Sequence, residues 1–390
     1  MERADPRGIG WRRLARGVQL AVLLGAWLAA AAAADLEPAH ETTWVMPFAD
    51  LYDVDARGDA VWAVGYWGTV LRSTDGGGTW TSSPTPTADI LFAVSFADTK
   101  SGWAVGAHGT ILRSTDGGAT WKRQVASVAD ETSAMRPFDS SLFGVAAVGP
   151  DEAWAVGDFG TLLHTTDGEQ WRQVVLAPSI FADDNIPDRI LNAVEFPDPQ
   201  HGWIAGEFGT LLRTSDGGQT WVGQRELVGA IPDIYLFDVA ADTDGSAVGG
   251  GVGGVLVGTR DGGSTWSALE APTTAGLFGT AWHQGRGIAV GDRGVIVVTR
   301  DGGTTWTEPQ HPRLFNWLRG AALADGKAYA VGERGLVLRS ADGGASWEVS
   351  AGEPPRPRTG VTVPEPGSSD LPGRANDAEA EDAKTAPRTR

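Results

Sequence analysis

The chain has 390 residues, 54 of them glycine and 17 tryptophan, and 42% of its residues are hydrophobic. Glycine at about twice the ~7% usage of ordinary proteins, combined with that apolar content, excludes a disordered or collagen-like chain and leaves a packed, turn-rich, all-β protein. The absence of cysteine removes disulfides, thiolate metal sites, a cysteine nucleophile and an acylated N-terminal cysteine, and a net charge of -18 removes nucleic-acid binding, which needs a basic face.

Residues 1–34 carry Arg3, Arg7, Arg12, Arg13 and Arg16 ahead of an uncharged run from Val18 to Ala34, with Ala32, Ala33 and Ala34 before Asp35. A basic segment, an apolar segment and small residues in that order predict an export signal, with cleavage after Ala34 favoured over retention as an anchor. The apolar run is short against the ~20 residues that span a bilayer. Export implies a periplasmic location, or the thylakoid lumen in a photosynthetic host. Next, Thr43-Trp44-Val45 matches the start of a fourth blade strand and is expected to close the ring by pairing with the last blade.

From there to residue 350 one pattern recurs. Ser73-Thr74-Asp75-Gly76-Gly77-Gly78-Thr79-Trp80 is followed by six further copies, that around Asp167 one residue shorter. The aspartates Asp75, Asp116, Asp167, Asp216, Asp261, Asp301 and Asp342 are spaced 41, 51, 49, 45, 40 and 41 residues apart. Ahead of each lie short alternating β-branched segments broken by glycine, such as Leu91 to Phe96, Gly102 to Gly106 and Gly109 to Arg113, which read as strands and turns. Four strands in 40 to 50 residues is one propeller blade, so residues 35–350 are predicted to form a seven-bladed all-β propeller. Trp62, Trp103, Trp154 and Trp203 are expected between blades, each contributing ~2 to 3 kcal/mol. The last segment, 351–390, has only Val361, Val363 and Leu371 as aliphatics larger than alanine and is predicted to be disordered.

The seven aspartates sit in the turn between the third and fourth strands. There a carboxylate accepts backbone N–H bonds and the glycines supply positive φ, so their predicted role is structural. This turn resembles the Asp-box, or BNR, repeat of sialidases, related glycosidases and several non-enzymatic propellers. None of Tyr52, Tyr66, Tyr235 and Tyr329 is paired with a glutamate by spacing, as a sialidase-like nucleophile requires. The six histidines, at 40, 108, 164, 201, 283 and 311, are scattered and read as turn or surface residues. No catalytic residue, metal site or cofactor is predicted.

The longer unit, Gly-Trp-Ala-Val-Gly-x-x-Gly-Thr-(Ile/Leu)-Leu-Arg-(Ser/Thr)-x-Asp-Gly-Gly-x-Thr-Trp, runs through Gly102 to Trp121 and, with small changes, through Gly202 to Trp221. It resembles the photosystem II stability and assembly factor family across residues 44–350. The resemblance implies a non-catalytic, monomeric scaffold whose partner is a membrane protein or membrane complex. The alternatives are a glycosidase or sialidase-like enzyme, or a periplasmic accessory protein of a transport system.

Partner binding is expected on the face opposite the aspartate turns, where the second and third strands of each blade are joined. Its candidate residues are Tyr66, Trp67, Ala107, His108, Asp158, Phe159, Glu207, Phe208, Asp292, Arg293, Glu333 and Arg334, exposed aromatics and charges of the kind found in binding patches. The longer connections between blades two to five add Met135, Arg136, Phe138, Ile180, Phe181, Arg189 and Ile231, expected as apolar and basic residues in exposed loops.

Overall fold

A computed structural model describes residues 49–129, 135–177, 180, 189–224 and 235–352. They form seven antiparallel sheets around a central channel, each built from consecutive strands in the order inner to outer. Blade 1 consists of Leu51–Arg57, Ala60–Gly65, Val70–Ser73 and Thr81–Ser83. The inner strands of blades 2 to 7 are Leu91–Phe96, Leu142–Gly149, Leu191–Glu195, Leu236–Ala241, Leu277–His283 and Leu318–Ala324.

Six blades have four strands, and blade 6 has three. Its fourth strand shrinks to a single bridge between Val298 and Thr307. The cause is Pro309, which stands three residues after the turn tryptophan, where blades 3, 4 and 5 place the donors Val174, Gln224 and Leu269, and has no N–H to give. Gln310 instead bridges to Ser346 of blade 7, where its carbonyl accepts the Trp347 N–H at 3.0 Å.

A lone four-stranded sheet would leave both its faces wet. Radial stacking buries them in seven clusters, each shared by neighbouring blades. Trp62, Trp103, Trp154 and Trp203 are buried as expected. The Trp62 indole donates to the Gly117 carbonyl of the next blade's aspartate turn at 2.8 Å, and a Cβ on Gly118 would meet that ring at 2.8 Å. The aspartate turns are therefore the joints between blades. Arg113 makes a comparable crossing, its Nη1 donating to Gly168 O at 2.8 Å while its Cζ lies 5.3 Å from the Trp103 ring centre.

Ring closure uses the same packing. Leu51, Val54 and Ala63 of blade 1 share a cluster with Ala322, Tyr329 and Val331 of blade 7, and Trp80 Nε1 donates to Ser350 Oγ at 2.9 Å. Blade 7 takes all four strands from residues 318–351. The segment Thr43-Trp44-Val45 expected to complete it, and the export signal, lie outside the described residues. The boundary expected at 350 falls late in a strand, because Ala351 ends Glu348–Ala351 and pairs with Val337; the rest of the expected tail, from 353 onward, is also outside the described residues.

Candidate functional site

The two ends of the ring are built from different turns. Each turn between second and third strands begins with a glycine, whose role is close approach: a Cβ on Gly106 would lie 1.9 Å from Ile90 O. The next residue's N–H donates to that same inter-blade connection in every blade, as in Tyr66 to Asp50 O, Asp158 to Ser141 O and Glu333 to Trp317 O, at 2.9 to 3.1 Å. These seven turns are pinned, not loose hairpin tips.

Pinning sorts the candidate residues into two sets. Tyr66, Ala107, Asp158, Glu207, Asp292 and Glu333 are half-buried. Among them Asp158 accepts from Ser141 N at 3.1 Å and Glu207 from Ile190 N at 3.2 Å, so these two carboxylates brace the turns. Trp67, His108, Phe159, Phe208, Arg293 and Arg334 are exposed and all lie in the left-handed region, with φ between 52° and 60°. The seventh turn places Gly253 there, at φ 69°. Left-handed backbone is uncommon for residues with a Cβ and a clear outlier for bulky ones. Trp67 is 56% exposed, Phe159 65% and Phe208 40%, so little packing offsets that local cost. Aromatic tips occupy blades 1, 3 and 4, a histidine blade 2, and arginines blades 6 and 7.

The longer connections differ from expectation. Phe138 is partly buried against the core cluster between blades 2 and 3, Ile180 packs on the cluster between blades 3 and 4, and Arg189 is 2% exposed. Met135 and Arg136 lie on the second strand of a hairpin, Ser127–Ala129 with Met135–Pro137. Phe181 and Ile231 are outside the described residues. Phe138 and Ile180 therefore serve the core at two blade junctions.

One feature invisible in the repeat pattern lies at the channel mouth. Every inner strand shifts register after its first leucine: at Leu51/Asp53, Leu91/Ala93, Leu142/Gly144, Leu191/Ala193, Leu236/Asp238, Leu277/Gly279 and Leu318/Gly320; the blade 3 strand shifts again at Ala147/Gly149. A bulge re-aims its extra residue. The seven residues so released, Tyr52, Phe92, Phe143, Asn192, Phe237, Phe278 and Arg319, all line a channel of about 450 Å³. They form a collar: Tyr52 and Phe92 meet edge to face at 5.4 Å, Phe92 and Phe143 stand 5.2 Å apart, and Phe237 and Phe278 5.0 Å apart. Tyr66 and Trp67 continue the aromatic contacts outward to the rim.

Further along the inner strands the channel carries Asp53, Asp55, Glu195, Asp238 and Asp242. Four of these staple blades together. Asp53 accepts from Val94 N at 2.9 Å and Asp55 from Phe96 N at 2.7 Å, blade 1 to blade 2; Asp238 accepts from Thr280 N at 2.7 Å and Asp242 from Gln284 N at 2.5 Å, blade 5 to blade 6. Burial pushes the Glu195 carboxyl up to about 8 and the Asp238 carboxyl up to about 6, and raises Asp53 well above the ordinary range.

The seven repeat aspartates occupy the opposite face. Asp216 Oδ1 accepts from Thr220 N at 2.9 Å and from Thr214 Oγ1 at 2.8 Å, and Oδ2 from Thr220 Oγ1 at 2.6 Å. Asp75, Asp116, Asp261, Asp301 and Asp342 repeat this triple. Asp167, in the shortened copy, accepts from Glu169 N, Gln170 N and a longer 3.3 Å bond from Thr165. The Thr265 and Thr305 amides, with the neighbouring hydroxyls, hold Asp261 and Asp301 down at about 2.

Two pairings escaped the sequence. Tyr235 Oη donates to Glu207 Oε1 at 2.9 Å, a tyrosine–glutamate pair made by residues 28 positions apart. Burial, and then Glu207, raise the Tyr235 phenol above its ordinary value, the reverse of what a nucleophile needs. His164 is not a surface residue: its ring stacks on Trp154 at 3.7 Å and its Nε2 lies 3.1 Å from Glu152.

These features define a class: a seven-bladed BNR-type propeller with pinned aromatic turns around an aromatic-collared channel. The family model described as photosynthesis system II assembly factor YCF48 matches residues 80–186 and 183–275, and the chain belongs to that family. Among solved structures, "YCF48 bound to D1 peptide" is 22% identical with a TM-score of 0.52, covering 68% of this chain and 82% of that one. YCF48 from Cyanidioschyzon merolae is 20% identical with a TM-score of 0.58, covering 76% and 97%. The GH74 xyloglucanase from Xanthomonas campestris is 15% identical with a TM-score of 0.61, covering 78% of this chain and 55% of the enzyme. No curated protein matches the chain.

Proposed function

We propose that the chain is an exported, non-catalytic assembly factor that holds a segment of a membrane protein on the face carrying the pinned aromatic turns. The observation that carries this reading is Trp67, Phe159 and Phe208, exposed side chains held at left-handed φ where Gly253 meets the same geometry without strain. A fold keeps such residues for what they touch outside it. Membership of the YCF48 family and the relative solved with a D1 peptide support a membrane-protein client, and the basic and apolar layout of residues 1–34 supports export. Against a tyrosine nucleophile stands the Tyr235 phenol, which burial and then Glu207 push above its ordinary value.

The test is a triple Trp67→Gly, Phe159→Gly, Phe208→Gly variant, immobilised beside the parent and offered detergent-solubilised membranes of the source cell. The parent is expected to retain a defined membrane complex and the variant to lose it at a melting temperature no lower than the parent's. Equal retention by both overturns the assigned face. Hydrolysis of a sialoside or glucan panel by the parent overturns the non-catalytic reading.

A further inference from the structure

The collar and the channel beneath it combine into a site for a cation. Arg319 shows how one is held there: its guanidinium carbon lies 5.5 Å from the Phe237 ring centre and 5.6 Å from that of Phe278, in the field of Asp238. The blades repeat, so the opposite arc of the collar offers the same chemistry. Tyr52, Phe92 and Phe143 stand at the same bulge positions, and Asp53, Asp55 and Glu195 lie further along the inner strands. Among the described residues these three rings contact one another, Tyr66 and Trp317, and no arginine stacks on them. The Glu195 carboxyl makes no hydrogen bond within the described residues, whereas the Asp53 and Asp55 carboxyls are engaged by backbone amides. Five carboxyl groups share the channel with Arg57, Arg319 and His283, and Arg57 is committed to Asp55 at 2.7 Å.

We infer that this arc of the channel mouth receives a lysine or arginine side chain of the bound polypeptide, its cationic head on the Tyr52, Phe92 and Phe143 rings and its charge answered by Glu195. The source of the cation rests on the reading of this face as a partner surface; the site itself does not. Aromatic faces attract cations most where both are shielded from water, and a cavity of about 450 Å³ falls within the ~300 to 1,000 Å³ of small-ligand sites. Binding is also linked to protons. Glu195 faces Asp55 and Arg57 of blade 1 and Asp238 of blade 5, with Asp242, His283 and Arg319 lining the same channel. A carboxyl raised by burial binds a cation only after losing its proton, so affinity rises with pH and binding releases a proton.

The test is calorimetric titration of the full chain with the peptide acetyl-Gly-Arg-Gly-amide and its neutral citrulline counterpart. The arginine peptide is expected to bind with Kd on the order of 1 mM, at least fivefold tighter at pH 8.5 than at pH 5.5, and the citrulline peptide not measurably. Glu195→Gln, and separately Phe92→Leu, are expected to weaken arginine binding at least fivefold at pH 8.5 while the melting transition stays cooperative. Equal binding of the citrulline peptide, no heat with the arginine peptide, or unchanged affinity in Glu195→Gln each overturns the proposal. The triple glycine variant of the rim tells the two readings apart: partner capture retained by that variant overturns the rim assignment and leaves the channel site standing, whereas failure of the parent to bind the arginine peptide overturns the channel site and leaves the rim assignment standing.

Discussion

The carboxylates of the aspartate turns and those of the channel are the same functional group in opposite surroundings. At the turns each oxygen meets donors in the open: two backbone or hydroxyl bonds on one, a threonine or serine hydroxyl on the other, and the acid is strengthened. In the channel Asp53, Asp55, Glu195 and Asp238 are withdrawn from water and face one another, and the acid is weakened. Placement, not residue type, decides whether an acidic side chain supports this ring. The turn aspartates stabilise it when charged, and these four channel acids stabilise it when neutral.

The sharpest way to break the comparison is to remove one member of each set. Asp216→Ala strips three hydrogen bonds from a joint between blades and is expected to lower the urea midpoint clearly at pH 7. Glu195→Gln removes charge from the channel and is expected to raise the melting temperature at pH 9 by a few degrees, with little change at pH 5; an equal loss at both values would place Glu195 with the turn aspartates. The parent protein's own pH profile follows. Depressed carboxyls contribute stability that is present above about pH 4 and lost toward pH 2, while raised carboxyls lose their contribution as pH rises from about 4 through 6 and 8. Stability is therefore expected to peak near pH 5. A smaller effect separates two turns: Asp167→Ala is expected to lower the urea midpoint less than Asp216→Ala, because the Asp167 bonds all fall on Oδ1 and the one from Thr165 is long at 3.3 Å. Smallest of all, Trp67→Gly is expected to leave stability unchanged or to raise it by up to about 1 kcal/mol, since glycine relieves the left-handed strain.

Much of this architecture was legible in the chain because repetition reports itself. Asp75 to Asp342 marked the blades, Trp62, Trp103, Trp154 and Trp203 marked the joints, and the glycines on either side of Tyr66-Trp67 marked the exposed turns. What escaped has a common cause in residues that depart from the repeat or act across it. Pro309 removes a strand through one missing N–H. Tyr235 finds Glu207 only after the chain has closed a blade. Phe138 and Ile180 read as exposed because an irregular connection has no periodicity to reveal which side faces inward. The collar was hidden for a subtler reason: in Leu-Phe-Ala-Val-Ser-Phe plain alternation sends Phe92 away from Leu91 and toward one face of the sheet, and only the register shift turns it to the mouth.

Those seven bulges also give the molecule a form of freedom. The released side chain sits at the channel edge, outside the clusters that join the blades, so its identity is nearly uncoupled from folding, except at Asn192, whose Nδ2 donates to Leu236 O of the next blade at 2.7 Å. Nature has already used this latitude, with phenylalanine at four positions and tyrosine, asparagine and arginine at the other three. A library randomised only at 52, 92, 143, 192, 237, 278 and 319 would vary one contiguous ring of chemistry on an unaltered frame. Recognition in such a propeller is written in a register separate from the one that writes its shape.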